Sequence, residues 1–183
     1  MTAALLHGRE LIGRPVVDGA TGDDVAEIKD VVFDSGRGEI TGFTLRKRGF
    51  LGGKLKEVLP IGDVVSIGTD AVMIDGQAAL VNRKEAPADM STDSKSNVLT
   101  NRVVTESGRT LGEVKDVIVL GGRSPRVVGF EVAGGAVGDG LVPIGRHSAV
   151  SGSALIVPDE YESRIRADLT GFAAELAGIG EGR

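Results

Sequence analysis

The sequence predicts a mostly β protein in which one small sandwich or barrel occurs twice in tandem, followed by an amphipathic helix. The first observation is an internal repeat: "VAEIKDVVFD" at 25–34 has a counterpart in "LGEVKDVIVL" at 111–120. The second is composition, since 28 of the 183 residues are glycine and only 3% are aromatic. Abundant glycine and valine are typical of short strands joined by tight turns. The third is a helical spacing of apolar residues near the C-terminus.

The repeat continues beyond this pair of stretches, always in the same order. The stretch "EITGFTL" at 39–45 matches "RVVGFEV" at 126–132, and "VLPIGDV" at 58–64 matches "LVPIGRH" at 141–147. A self-match over several strands indicates two copies of one folding unit rather than a chance similarity of single motifs. Closure of each unit into a barrel would remove the exposed edges of so small a sheet.

The repeat divides the chain into four parts. Between the copies, "NRKEAPADMSTDSKSN" is polar and has no apolar period, which is typical of a linker. The predicted parts are a first barrel at 5–81, a polar linker at 82–97, a second barrel at 98–157, and a C-terminal helix and tail at 158–183.

The C-terminal segment carries apolar residues at steps of four and three, which place them on one helical face. Asp159, with Glu162 three positions later, resembles an acidic variant of a capping box and predicts the start of this helix. The helix could pack on its own barrels, on a second copy of the chain, or in a partner's groove. The residues of the face are Tyr161, Ile165, Leu169, Phe172, Leu176 and Ile179.

Both copies place an aspartate, Asp30 or Asp116, in an otherwise apolar stripe of the repeated strand. A buried charge must be hydrogen-bonded to persist, so we expect both to accept backbone N–H groups and to fix one end of each barrel. A catalytic acid is the alternative, but no histidine, cysteine or second acid accompanies either one locally. Pro60 and Pro143 are also expected to be structural, at strand starts or edges, because proline cannot donate to a sheet.

Three motifs of the first copy together resemble a known family: the entry "LIGRPVVD", the strand "EIKDVVFD" and the close "LPIGDVVSIGTDAVMI". The resemblance is to the PRC-barrel domain, found in the photosynthetic reaction centre H subunit and in the ribosome-maturation factor RimM. It covers residues 9–75 well and 98–157 more loosely. The resemblance implies two six-stranded PRC-like barrels that dock on other proteins and share no catalytic site.

The clearest difference between the copies is the segment "RKRGFLGGKLKE" at 46–57, where the second copy has "AGGAVGDG" at 133–140, with no basic residue. An apolar tip with a basic rim is typical of a docking loop. The alternative is a lid on its own barrel with solvated lysines. The candidate partner-binding residues are Arg46, Lys47, Arg48, Phe50, Leu51, Lys54 and Lys56.

The composition of the chain and the spacing of its polar residues argue against metal, cofactor and catalytic sites. The chain has no cysteine, and its two histidines, His7 and His147, stand far apart without a local acid cluster, so no metal site is predicted. The acids Asp18, Asp23 and Asp24 are expected in a turn, since the spacing of a calcium loop is missing. We expect no catalytic residues, no cofactor and no enzyme activity.

These observations favour a non-catalytic protein-interaction or scaffold module whose partner is another protein. An RNA- or ribosome-associated assembly factor, by analogy with RimM, is the alternative, although the net charge of -5 argues against a general affinity for phosphate or anionic lipid. A homodimer stays open. No apolar run approaches the roughly 20 residues that span a bilayer, and a cytoplasmic location is expected.

Overall fold

A computed structural model describes residues 4–34, 39–48, 53–90, 98–135, 138–144, 149–151 and 153–180. Within them, the strands form two seven-stranded sheets, each curled like half a barrel, and one α-helix lies near the C-terminus. The predicted mostly β fold with two tandem PRC-like units is therefore confirmed.

The first sheet is built almost entirely by the first copy of the repeat. The chain begins with β1 (Leu5–His7), which belongs to the other sheet. The first sheet then has the order β6-β7-β2-β3-β4-β5-β8. Its strands are β2 (Pro15–Asp18), β3 (Asp24–Phe33), β4 (Ile40–Arg46), β5 (Lys54–Pro60), β6 (Val64–Ile67), β7 (Val72–Ile74) and β8 (Val81–Asn82).

The second sheet repeats this topology strand for strand. Its order, β13-β14-β9-β10-β11-β12, is that of the first sheet, with a single bridge between Leu141 and Arg166 in the place of β8, and β1 joins it on β10. In both sheets the single parallel pair joins the first and last strands of the repeat. The strands are β9 (Arg102–Thr105), β10 (Thr110–Leu120), β11 (Arg126–Ala133), β12 (Gly140–Pro143), β13 (Ala149–Ser151) and β14 (Ala154–Val157).

The two sheets share one hydrophobic core, because β1 crosses from the first copy to the second. Leu6 pairs with Val119 in the antiparallel register of β1 and β10, and its side chain is 6% exposed. A backbone bridge between Ile67 and Gly122 makes a second link between the sheets. One cluster of buried residues includes Phe43 of the first sheet and Phe130 of the second. The two copies are thus one packed unit rather than two independent domains.

The predicted polar linker begins with packed structure. Asn82, its first residue, pairs with Glu57 of β5, and Met90 is 6% exposed. Met90 packs with Val32 and Val58 on the outer face of the first sheet. A single methionine supplies most of this packing, which is why the polar composition concealed it. Residues 91–97 of the predicted linker lie outside the described residues.

The C-terminal segment is not the single helix that its apolar spacing predicts. Residues Asp159–Arg164 form a 3₁₀ helix, and α1 begins only at Leu169 and continues to Gly180. Between them, the backbone of Arg166 exchanges two hydrogen bonds with Leu141 of β12, and this extended pairing interrupts the helix. The predicted capping box at Asp159 was wrong, because its Oδ1 accepts the distant backbone N–H of Ser107.

The helix α1 packs on its own second barrel. Phe172 is fully buried in a cluster with Ile118, Val128 and Leu141. Tyr161 belongs instead to the shared core, so the predicted single apolar face is divided between two clusters. None of the described helices has the length and apolar character needed to cross a membrane.

Candidate functional sites

The segment 46–57, which we call the basic hairpin, connects β4 to β5. Arg46 pairs with Lys54 across the two strands, and the backbone N–H of Lys47 donates to the carbonyl of Gly53 at 3.0 Å. The base of the hairpin is therefore closed by the sheet itself. Phe50, Leu51 and the side chain of Lys54 lie outside the described residues, so the choice between a docking loop and a lid stays a prediction.

Two charges of the basic hairpin are neutralised by its own barrel. The guanidinium of Arg46 donates from Nε to Oε1 of Glu27 at 2.9 Å, and Arg48 pairs with Asp24. Half-exposed pairs of this kind are worth little stability, but they reduce the positive charge that the hairpin offers to an anionic ligand. Lys47 is exposed.

The equivalent hairpin of the second barrel carries no positive charge. It connects β11 to β12, and the backbone N–H of Gly134 donates to Oδ1 of Asp139 at 3.3 Å. Residues 136 and 137 of this hairpin lie outside the described residues. The two equivalent hairpins thus carry opposite charge. Such a difference is typical of a protein in which only one of two repeated surfaces has a specialised role.

A second group of polar side chains lies where β1 meets the second barrel, and we call it the interbarrel cluster. It consists of His7, Arg9, Asp116 and Glu131. Nδ1 of His7 lies 3.1 Å from Oε2 of Glu131 and 3.7 Å from Oδ2 of Asp116. Nη1 of Arg9 donates to the same Glu131 oxygen at 2.7 Å and lies 3.5 Å from Oδ2 of Asp116. Two cationic or polar groups from the first copy therefore face two acids from the second.

Asp116 is held in place by the backbone. It is 5% exposed, and its carboxylate accepts the N–H groups of Val117 at 2.8 Å and of Arg9 at 3.2 Å. Burial raises the pKa of Asp116 above its usual value, while the two backbone hydrogen bonds and the charges of Arg9 and His7 act to lower it. This is the bonding expected of a structural aspartate, and the stability test is still to be made.

Asp30 does not have the buried environment of Asp116, although the repeat predicts the same role for both aspartates. Its side chain is 56% exposed, pairs with Nζ of Lys29 at 2.7 Å and accepts from Oγ1 of Thr44 at 3.2 Å. Both strands have a bulge at this point, so the difference comes from the surroundings. Gly8 packs on Asp116, with so little space that a Cβ there would come within 2.9 Å of its Oδ1.

The two prolines take equivalent places. Pro60 is the last residue of β5 and pairs with Gly42, and Pro143 is the last residue of β12 and pairs with Gly129. Both therefore lie at strand ends. Of the strand starts or edges expected for them, β12 is the outermost strand in the order of its sheet, whereas β5 is flanked by β4 and β8. Of the three acids expected in a turn, Asp18 is instead the last residue of β2 and is buried, and its Oδ1 accepts the N–H of Ala20 in the following turn at 2.9 Å.

The interbarrel cluster was missed by sequence reasoning. In the sequence, His7 has no acid cluster near it. Its acidic neighbours come from the other half of the chain and are brought to it by the pairing of β1 with β10. Ligand atoms of His7, Asp116 and Glu131 all lie within 4.8 Å of one another. The alternation of β11 puts Glu131 on the face opposite Phe130, which was the one available signal. His147 lies outside the described residues.

Comparison with known proteins agrees with this architecture. The family described as the PRC-barrel domain matches twice, at residues 5–81 and 90–163. A search of curated proteins found no match. The second family match begins at Met90, the residue that packs on the outside of the first sheet. Because the two matches cover most of the sequence, the chain belongs to the PRC-barrel domain family and carries two such domains in tandem.

Proposed function

We propose that this chain is a non-catalytic protein-interaction module in which two fused PRC barrels present the basic hairpin to a partner protein. The observation that carries the proposal is the asymmetry between two equivalent hairpins on one packed unit. One connects its strands through "RKRGFLGG", while the other has an acid and no base. This difference between equivalent hairpins favours a specialised surface at 46–57.

The base of the hairpin supports a docking role. Its two strands stay paired up to Arg46 and Lys54, so Phe50 and Leu51 lie in a short connection between two anchored positions. Anchoring lowers the entropy lost when such a connection binds. Apolar residues with a basic rim suit the apolar, acid-rimmed patch of another protein.

The charge arrangement favours a protein over a nucleic acid. Arg46 and Arg48 pair with Glu27 and Asp24 of their own barrel, and the net charge of the chain is -5. A phosphate backbone would have to compete with these carboxylates for the two guanidinium groups. An RNA- or ribosome-associated role by analogy with RimM is therefore the second candidate.

The proposal is tested with three purified proteins used as bait in native lysate: the wild type, Phe50→Ser with Leu51→Ser, and Ala136→Ser with Val137→Ser. The third is the matched control, since it changes two apolar residues of the equivalent hairpin. We expect one protein to bind the wild type and the control but not the 50/51 variant, at low and high salt. Equal capture by all three proteins would refute the docking role.

The same experiment separates the second candidate. Ribosomal material that leaves the wild type at high salt or after nuclease treatment would replace the proposal with an RNA-associated function. Circular dichroism of each variant checks that the fold is retained. Light scattering measures the oligomeric state, which the sequence leaves open, and cell fractionation tests the proposed cytoplasmic location.

A further inference from the structure

We propose that His7, Asp116 and Glu131 form a site for a divalent transition-metal ion such as Zn²⁺, located where β1 joins the second barrel. Imidazole nitrogen and carboxylate oxygen are ligands that zinc accepts, and three protein ligands with a water molecule make a common zinc site. The site is independent of the basic hairpin and of the proposed function.

The distances between the ligand atoms fit one small cation. Zinc lies about 2.0–2.2 Å from nitrogen and oxygen ligands, so two ligand atoms of a tetrahedral site lie about 3.3–3.6 Å apart. Nδ1 of His7 is 3.1 Å from the Glu131 oxygen and 3.7 Å from the Asp116 oxygen. These separations bracket the tetrahedral value, and only small side-chain movements would equalise them.

The nitrogen of His7 points to a missing ligand. Nδ1 of His7 is buried and makes no hydrogen bond, and the nearest oxygen of Glu131, Oε2, lies 3.1 Å away. Buried polar atoms normally have a partner, so one that lacks it requires an explanation. A cation between Nδ1 and the two carboxylates would supply the missing interaction.

The surroundings hold the ligands and leave one side open. The backbone N–H of Val117 binds Oδ1 of Asp116, which keeps Oδ2 towards His7. Hydrogen bonds of this kind orient ligands and are important for metal affinity. The side chain of Glu131 is 28% exposed, so an ion and its water ligand can reach the cluster from solvent.

Arg9 balances the two acids when no ion is bound. Its Nη1 lies 2.7 Å from Oε2 of Glu131, so its guanidinium competes with a metal for that oxygen. The Arg9 side chain is 57% exposed and can turn towards solvent. Its backbone N–H would stay on Asp116. The inference therefore predicts that removal of this guanidinium strengthens metal binding, whereas a purely ionic cluster would only lose an ion pair.

The test is calorimetric titration of Zn²⁺ into untagged protein freed of metal with a chelator. We expect one ion per chain and a higher melting temperature with zinc, because the folded state alone assembles the ligands. His7→Gln should weaken binding by more than about 100-fold, since even loss of an orienting hydrogen bond costs 10–100-fold. Arg9→Gln should tighten it.

His147→Gln is the matched control, because it removes the other histidine of the chain and should leave zinc binding unchanged. If His7→Gln failed to fold, Glu131→Gln would replace it, since this side chain is partly exposed. The absorption of Co²⁺ in place of Zn²⁺ reports the ligand geometry independently of stability. The inference would be overturned if the wild type did not bind zinc, or if His7→Gln and Glu131→Gln both bound zinc as tightly as the wild type does.

Discussion

The ring of Phe172 lies directly on Gly129 of β11. A Cβ added at Gly129 would come within 2.4 Å of the ring and 2.6 Å of the carbonyl oxygen of Val142. The first barrel has the same arrangement, in which Met90 lies on Gly42. Each sheet therefore carries a glycine where a residue that follows its repeat in the chain packs on the outer face.

Gly129→Ala should destabilise the protein by about 1–3 kcal/mol, because the added methyl overpacks a site closed by ring and backbone. Chemical denaturation followed by circular dichroism measures this change. Gly178→Ala is the control: nothing lies within 4 Å of a Cβ there, and the substitution in α1 should be neutral or stabilise by up to about 1 kcal/mol. If Gly129→Ala were as stable as the wild type, the close packing of Phe172 of α1 on Gly129 would not contribute to stability.

Leu6→Ala should cost about 2–5 kcal/mol, since Leu6 is 6% exposed in the core that both barrels share. Hydrogen exchange should also become faster at Ile118–Leu120, the part of β10 that pairs with β1. Ile12→Ala is the control, because Ile12 is 49% exposed and its truncation should change little. Exchange that stays slow at β10 would contradict the role given to β1.

Asp116→Asn should cost about 1–3 kcal/mol in chelator-treated buffer, because it weakens the partner of two backbone N–H groups at a buried position. Asp30→Asn should stay within about 0.5 kcal/mol, since that side chain is 56% exposed. Thermal and urea unfolding of the two variants give the comparison. Similar losses for Asp30→Asn and Asp116→Asn would contradict this difference and restore the symmetric roles that the repeat predicts.

Asp159 should make stability depend on pH. The hydrogen bond from the backbone N–H of Ser107 lowers the pKa of Asp159 in the folded state below its ordinary value of 3.8. The folded state then binds this proton less readily than the unfolded state, so the stabilisation is present above the ordinary pKa and is lost as the pH falls through the folded value.

Urea unfolding of wild type and Asp159→Ala at pH 7 and at about pH 3 measures this linkage. The variant should be less stable at neutral pH, and the difference should shrink in acid. Glu160→Ala is the neighbouring control, as the Glu160 side chain is 63% exposed. A difference that grows in acid would contradict the assigned hydrogen bond.

The repeat was sufficient to predict two equivalent β units, because the same apolar segments and turns occur twice in the same order. Val25–Asp34 and Leu111–Leu120 indeed occupy equivalent central strands, β3 and β10. The crossing of β1 could not be predicted, because three residues carry no pattern that selects one sheet edge over another. For the same reason the contact of His7 with Glu131 was invisible in the sequence.

The interruption of the C-terminal helix shows a different limit. The spacing of Tyr161, Ile165 and Leu169 fits a helix, but the backbone of Arg166 pairs with Leu141 and the chain stays extended there. Tertiary pairing overrides local periodicity when it satisfies the same backbone groups. Asp168 then starts α1 by accepting the N–H of Gly171 at 2.8 Å.

The place of β1 in the second sheet sets an order of events during synthesis on the ribosome. Leu5–His7 emerge before their partners at Ile118–Leu120, which follow more than 100 residues later in the sequence. Strand β1 therefore stays unpaired while the first repeat folds. Contacts between residues this far apart in sequence form slowly. Expressed alone, the second repeat would therefore lack one strand of its sheet, and the first would carry an unpaired one.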